Sequence, residues 1–413
     1  MISDKMIDLV NNSSVIRAMF EEGKRLAGIY GAENVYDFSL GNPNVPAPAQ
    51  VNEAIKALVD EEESTVLHGY MSNSGYEDVR AAVASSLNRR FGTDFNETNI
   101  IMTVGAAGGI NVIFKAVVNA GDEIIAFAPY FGEYRSYAAN VDAKLVVVPP
   151  DTATFQPDLD TFEKMITPKT KAVIVNTPNN PTGVVYSEDT IKKMAEILER
   201  KQKEYDRVII LFSDEPYREL AYDGVEVPYL TKYYDNTVVG YSYSKSLSLP
   251  GERIGYLVIP DALDDSATIK TACNVATRIL GFVNAPSLMQ KVIGRCVDVD
   301  VSENIAAYNR NRETLYKGLL ELGFQCIKPE GAFYMFVKTP VDDKEFCERA
   351  KKYNILIVPG STFACPGFVR IAYCVSYDTI TNSLPQFKKL AEEKRRQILP
   401  IIGSIRSHGT YGY

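Results

Sequence analysis

Four polar clusters in this chain each follow a short apolar run, and their residue types are suited to chemistry on a small bound molecule. The run Ile100 to Thr103 leads into Val104-Gly105-Ala106-Ala107-Gly108-Gly109, where bare backbone N–H groups and a helix start could hold a phosphate. The run Ala172 to Val175 ends in Asn176-Thr177-Pro178-Asn179-Asn180-Pro181-Thr182-Gly183, a rigid polar turn able to aim an amide at a bound ring. Val208 to Phe212 delivers Ser213-Asp214-Glu215-Pro216-Tyr217, with an acid and a phenol three residues apart. Thr237 to Tyr241 delivers Ser242-Tyr243-Ser244-Lys245-Ser246, followed by Leu249-Pro250-Gly251-Glu252-Arg253-Ile254-Gly255. Each cluster alone has a plainer explanation: a glycine turn, an Asn-Pro turn, an aspartate helix cap, a solvated lysine.

The elements that carry these clusters follow from the rest of the chain. Its 413 residues correspond to two or three domains at roughly 150 residues each. With 46% hydrophobic and 23% charged residues, a large buried core is expected and disorder is not. The 52 acidic and 44 basic side chains, net charge −8, argue against nucleic-acid or anionic-membrane partners. Only two histidines, His68 and His408, are present, which leaves no histidine cluster for zinc and little basis for a Ser-His-Asp hydrolase; no metal is expected. The six cysteines lie between Cys273 and Cys374 without a Cys-x-x-Cys pair, which suits a reducing compartment. Charges at Asp4, Lys5 and Asp8 interrupt the N-terminus, and no run approaches the ~18 apolar residues of a membrane span. The expectation is a soluble cytoplasmic protein.

Ser13 or Ser14 can cap an N-terminal amphipathic arm with apolar positions Ile16, Met19, Phe20 and Leu26, ended by Gly28 or Gly31. Helical spacing recurs over Val51 to Val59 and Tyr76 to Leu87, beyond the turn-rich boundary Gly41 to Pro48. From Ile100 onward, seven short apolar runs alternate with turns and helical patterns, notably Ile110 to Val118 and Ser187 to Lys203. Besides the four above, the runs are Glu123 to Phe127, Lys144 to Val148 and Gly255 to Ile259. This rhythm predicts an α/β fold: a large domain with a mostly parallel seven-stranded sheet flanked by helices. A smaller α+β domain follows, with a helix over Glu303 to Leu322, strands near Ala332 to Val337 and Phe368 to Ala372, and a helix over Ser383 to Arg396. The expected division is an arm and part of the small domain over 1–48, the large domain over 49–300 and the small domain over 301–413. The tail Gly403 to Tyr413 shows no pattern.

A phosphate cradle, an aspartate, a tyrosine, an asparagine and a serine-flanked lysine at successive strand ends form the set that pyridoxal phosphate requires. From about Ser39 to Cys374 the order and spacing of these motifs resemble the fold-type I pyridoxal-phosphate-dependent aminotransferases of class I/II, the aspartate aminotransferase group. The resemblance implies that Lys245 carries the cofactor aldehyde and shuttles a proton at the substrate α-carbon. An ordinary lysine is protonated at neutral pH, so the site must favour its neutral form. Asp214 would pair with the pyridine nitrogen, and Tyr217 and Asn180 would hydrogen-bond the phenolic oxygen. Arg253, eight positions after Lys245, would bind the phosphate together with Ser242 and the backbone of Ala106, Ala107 and Gly108. Phe131, or its neighbour Tyr130, would stack on the ring in a chain without tryptophan.

By the same resemblance Arg370, in Phe368-Val369-Arg370-Ile371-Ala372, and the backbone of Gly41 would hold the substrate α-carboxylate. Tyr70 would reach the cofactor phosphate of a neighbouring subunit, implying a homodimer with shared active sites. Arg278 lies near the place of an arginine that reads a distal carboxylate in many aspartate aminotransferases. A lysine that one branch carries in the glycine loop is here Ala107. Arg278 makes aspartate the first donor expected, the Ala107 departure counts against it and leaves aromatic or broad donors open, and a 2-oxo acid such as 2-oxoglutarate is the acceptor. A lyase or decarboxylase of the same fold would use the same Lys245, Asp214 and Arg253 and is the alternative. A transcription regulator would need a DNA-binding domain that the first 40 residues are too short to form. A bare nucleotide-binding module would leave Lys245, Asn180, Tyr217 and Arg370 unexplained.

Overall fold

In chain order, a short strand β1 (Tyr36–Asp37) precedes seven strands rich in β-branched and aromatic residues. These are β2 (Ile100–Thr103), β3 (Glu123–Phe127), β4 (Lys144–Val148), β5 (Thr170–Asn176), β6 (Ile210–Asp214), β7 (Thr237–Ser242) and β8 (Gly255–Val258). They form one sheet in the order β2-β8-β7-β6-β5-β3-β4. Strands β3 to β7 run parallel, and β2, β3, β6, β7 and β8 are buried along their whole length, as expected of a sheet covered on both faces. This computed structural model describes residues 15–406 together with Ile2, Ser3, Met6, Ile7 and Val10.

The chain divides into two compact units. The larger comprises Pro43–Ala307 with Glu330–Ala332; the smaller comprises Met1–Asn42, Tyr308–Pro329 and Phe333–Tyr413. All seven apolar runs of the larger unit form strands, but β8 is antiparallel to both β7 and β2. The link from β7 to β8 holds only a four-residue helix and a 3₁₀ turn, so no full helix is available to carry the chain across the sheet in a parallel crossover.

Helices form where the apolar spacing follows a period of 3.6 residues. In chain order they include α1 (Val15–Tyr30) of the smaller unit, α2 (Ala49–Glu61), α3 (Glu77–Phe91), α4 (Gly105–Val117), α5 (Tyr134–Asn140), α6 (Glu188–Tyr205), α7 (Tyr243–Ser246) and α8 (Ser266–Ile279). Helix α6 shows why such segments fold. Ser187 accepts the Thr190 N–H at 3.1 Å as N-cap, Glu188 and Asp189 face the positive helix end, and Ile191, Met194, Ala195 and Leu198 form the buried stripe. The chain leaves it through Asp206 in the left-handed region. Gly31, at φ +85°, follows α1; Ser13 and Ser14, its expected caps, lie outside the described residues.

The smaller unit pairs β1 in parallel with β11 (Ile355–Leu356). It also contains an antiparallel sheet of β9 (Gln325–Cys326), β10 (Tyr334–Lys338), β12 (Val358–Pro359) and β13 (Phe368–Ala372), in the order β12-β13-β10-β9. Helix α9 (Ser302–Glu321), which belongs to this unit from Tyr308 on, and α10 (Tyr377–Arg406) accompany it. Helix α10 begins six residues earlier than the apolar pattern suggests, because Ser376 accepts the Thr379 N–H at 3.0 Å and supplies a cap. Residues 407–413 of the tail lie outside the described residues. No described helix is long and apolar enough to cross a membrane.

Two backbone approaches hold β7 and β8 against the start of α4. A Cβ on Gly255 would collide with the Tyr241 carbonyl oxygen and lie 3.1 Å from Gly105 Cα. Gly255→Ala should therefore destabilise the fold by about 1–3 kcal/mol, the usual cost of overpacking. The change should read as a lower denaturation midpoint, and an unaltered midpoint would show that this approach is not required.

Candidate active site

The register of the central strands brings the polar clusters to one level. Asn176, the last residue of β5, pairs with Asp214, the last residue of β6, and Asp214 pairs in turn with Gly240 of β7. Asp214 and Ser242 are thus strand-terminal residues and not, as the apolar spacing suggested, part of the loops beyond. Asn176 donates from Nδ2 to the Asp214 carbonyl at 2.9 Å and accepts the Asn180 N–H on Oδ1 at 2.8 Å. Asn179 closes the same turn by accepting from Thr182 N and Oγ1, so Asn180 and Asp214 are tied together by buried amides.

Asp214 is buried, at 8% exposure, and its Oδ2 accepts a 2.5 Å hydrogen bond from the Tyr134 hydroxyl. Burial raises its pKa to about 6, and the Tyr134 hydrogen bond pulls the other way. Burial first, then the neighbouring Asp214 charge, lifts the Tyr134 phenol well above its ordinary range, so the proton of this bond stays on Tyr134. Two rings brace Tyr134: Tyr130 lies parallel at 6.3 Å and Phe131 edge-on at 5.7 Å. Just beyond Asp214, Glu215 accepts from Ser213 Oγ and forms a buried ion pair with Arg218. The Arg218 guanidinium also lies about 5 Å from the Phe91, Tyr229 and Tyr241 rings. This cage anchors the short loop that carries buried Tyr217.

A second cluster forms where β2 ends. The glycine-rich stretch expected as a loop is the first turn of α4, which begins at Gly105 and includes Ala106, Ala107 and Gly108. Glycine is needed at its start: Gly105 has φ +75°, and a Cβ there would lie 2.8 Å from Arg253 Nη2. Arg253 itself adopts a left-handed conformation, donating to the Pro250 carbonyl at 3.0 Å and the Val104 carbonyl at 3.4 Å. A guanidinium thus stands beside the unpaired N–H groups of a helix start, an arrangement that fits a phosphate dianion. Ser242 donates to Ser244 Oγ at 2.7 Å and accepts the Ser244 N–H at 3.2 Å, capping α7, which carries half-buried Lys245.

In the smaller unit Arg370, at the centre of β13, is 2% exposed and donates from Nη2 to the Ser39 carbonyl at 2.6 Å. The Tyr334 and Phe363 rings flank its guanidinium at 4.6 and 4.9 Å. A Cβ on Gly41 would run into the Tyr334 hydroxyl, so only glycine lets the Ser39–Gly41 segment pass there. Tyr70 is 93% exposed, and Arg278 is exposed in the last turn of α8.

Tyr134, Tyr334 and Phe363 were not singled out from the sequence, and Asn176 and Gly105 stood there only as members of longer motifs without a role of their own. Tyr134 had only the local signal of an aromatic cluster with Tyr130 and Phe131 just ahead of its helix. Gly105 meets Arg253, Asn176 meets Asp214 and Tyr334 meets Arg370 across elements far apart in the chain.

A profile of the family "aminotransferase class I and II" matches residues 33–385. The aspartate aminotransferase of Thermotoga maritima is 28% identical over 92% of this chain and 97% of its own. Aromatic-amino-acid aminotransferase 2 of Thermococcus litoralis is 30% identical over 95% and 99%. A crystal structure of an aminotransferase from Eubacterium rectale is 50% identical, covers 95% of this chain and 99% of its own, and superposes with a TM-score of 0.92. With the strand-end constellation and the match over nearly the full length in agreement, this chain belongs to the aminotransferase class I and II family and is a transaminase.

Proposed function

We propose that the protein is a pyridoxal-phosphate-dependent transaminase that takes the amino group of an L-amino acid, aspartate first, and delivers it to a 2-oxo acid. The observation that carries this reading is the pair of anchors in the larger unit. Gly105 and Arg253 offer a cradle for an anion, and buried Asp214 offers a carboxylate that gains from a cationic partner. A phosphate and a protonated pyridine nitrogen are that combination. Bound there, pyridoxal phosphate supplies an electron sink for a carbanion at the substrate α-carbon and carries the amino group between the two substrates.

The chain's own residues take the remaining tasks. Arg253 and the N–H groups of Ala106, Ala107 and Gly108 hold the phosphate, with Ser242 beside them; Asp214 keeps the pyridine nitrogen protonated. Asn180 and Tyr217 hydrogen-bond the phenolic oxygen, and Phe131 covers the ring. Lys245 Nζ removes and returns the proton at the substrate α-carbon. Arg370 grips the substrate α-carboxylate with its planar fork, assisted by the backbone of Gly41. Arg278 reads a distal carboxylate. Tyr70, 93% exposed on the protomer, reaches the cofactor phosphate of a second copy, so that the working form is a homodimer with shared sites. The names of the relatives, for aspartate and for aromatic amino acids, support these two donor classes.

The test of the function is the near-ultraviolet and visible spectrum of the purified protein with pyridoxal phosphate, recorded before and after L-aspartate with no oxo acid present. Loss of the visible band on adding aspartate supports the reading; no cofactor band at all would overturn it. Lys245→Ala should abolish turnover while circular dichroism stays that of the wild type, and substantial remaining activity would remove Lys245 from its role. Arg370→Ala should raise KM for every amino donor by a factor of roughly 30 or more, the loss of a buried charge-assisted contact of about 2 kcal/mol or above. An unchanged KM would reject that role. Arg278→Ala should raise KM for aspartate but not for an aromatic donor.

A further inference from the structure

We propose that Tyr134 is a positioning residue for amino transfer: its hydroxyl holds the Asp214 carboxylate in the orientation and ionisation state in which it pairs with the pyridine nitrogen of bound pyridoxal phosphate. The proposal deepens the cofactor reading above and rests on it.

The geometry is that of a dedicated brace. Tyr134 opens α5, and Asp214 closes β6, 80 positions later, yet the two side chains meet at 2.5 Å in the buried interior. The Tyr134 ring is confined by Tyr130, Phe131 and Tyr137, with centroids 6.3, 5.7 and 6.5 Å away. A confined ring leaves its O–H few directions, so the hydroxyl sets where Oδ2 of Asp214 can lie. Asn176 fixes only the Asp214 main chain, through the carbonyl oxygen.

The donor's chemistry matters as much as its place. An ionised carboxylate only accepts hydrogen bonds, and a neutral phenol stabilises it without cancelling its charge. A lysine or arginine at this position would neutralise the anion and compete with a pyridinium. Tyr134 instead favours the ionised form against the cost of burial while the full negative charge remains for the cofactor. The titratable groups acting on the pair are Tyr137 of α5 and Tyr217 beyond β6, and Glu133 and Arg253 act in turn on Tyr137.

The test measures the dissociation constant of pyridoxal phosphate for the apoprotein between pH 5 and 8, in wild type, Tyr134→Phe, Asp214→Asn and the double variant. Protonation of Asp214 removes the charge that attracts the pyridinium, so wild-type affinity should fall as the pH drops through about 6. Tyr134→Phe keeps the packed ring and loses only the donor. It should bind about tenfold more weakly at pH 7, the order expected for a lost hydrogen bond to a charged group, with the acidic limb moved to higher pH. In the Asp214→Asn background the same change should cost nothing further.

Wild-type affinity and an unmoved limb in Tyr134→Phe would overturn the proposal, as would an equal loss in the Asp214→Asn background, which would show the hydroxyl acting elsewhere. Should Tyr134→Phe fail to fold, 3-fluorotyrosine at position 134 keeps the hydroxyl as a stronger donor. It should move the limb to lower pH, and an unmoved limb would again overturn the proposal. No saturable binding by the wild type would overturn the cofactor reading and this proposal together.

Discussion

The interaction on which the site depends is the burial of one carboxylate. Taking Asp214 out of water costs several kcal/mol in its ionised form, of the order of one pKa unit for each ~1.4 kcal/mol, and the protein accepts that cost at the end of a central strand. Its immediate neighbours return only part of it. The Tyr134 hydroxyl donates to the side chain, and the Asn176 amide donates to the main chain and so fixes the strand end. A carboxylate held this way retains a strong appetite for a cation. That appetite is the physical basis for the proposed pairing with a protonated ring nitrogen.

The rest of the larger unit can be understood as the framework that brings an anion cradle to the same sheet. The antiparallel turn-back of β8 returns the chain from Lys245 to the start of α4, where Arg253 reaches the Val104 carbonyl. Such close packing of backbones leaves no space for side chains at Gly105 or Gly255. Charge is managed nearby in another way. The Glu215–Arg218 pair, on either side of Tyr217 in the chain, is buried with aromatic faces around the guanidinium. The two devices differ because their purposes differ: Arg218 is consumed by structure, whereas Arg253 is kept exposed and able to meet a ligand.

The smaller unit solves a similar problem with one cation. Arg370 sits on an interior strand, its guanidinium between two rings and one of its nitrogens on the Ser39 carbonyl. Rings attract a cation while leaving its donors directional, which suits recognition of a planar carboxylate better than a fixed carboxylate partner would. The absence of a side chain at Gly41 is the steric condition for this arrangement, since Tyr334 occupies the space.

The strands and their polar ends could be read directly from the amino-acid sequence, because a strand buried on both faces must be continuously apolar and whatever follows it in the chain must emerge at its end. Asp214, Asn180, Ser242 and Lys245 were therefore legible as a group, and the order of their motifs pointed to the family. Linear spacing was silent on contacts across elements. Tyr134 meets Asp214 over 80 positions, Arg253 meets Val104 over 149, and Arg370 meets Ser39 over 331. It also misjudged where strands stop and where α4 begins, since polar residues at a strand end still pair with their neighbours and glycines can open a helix as well as a loop. Periodicity reports which face of an element is buried. Only the tertiary structure decides what lies against that face, because the partners are chosen by packing and hydrogen bonding between segments far apart in the chain.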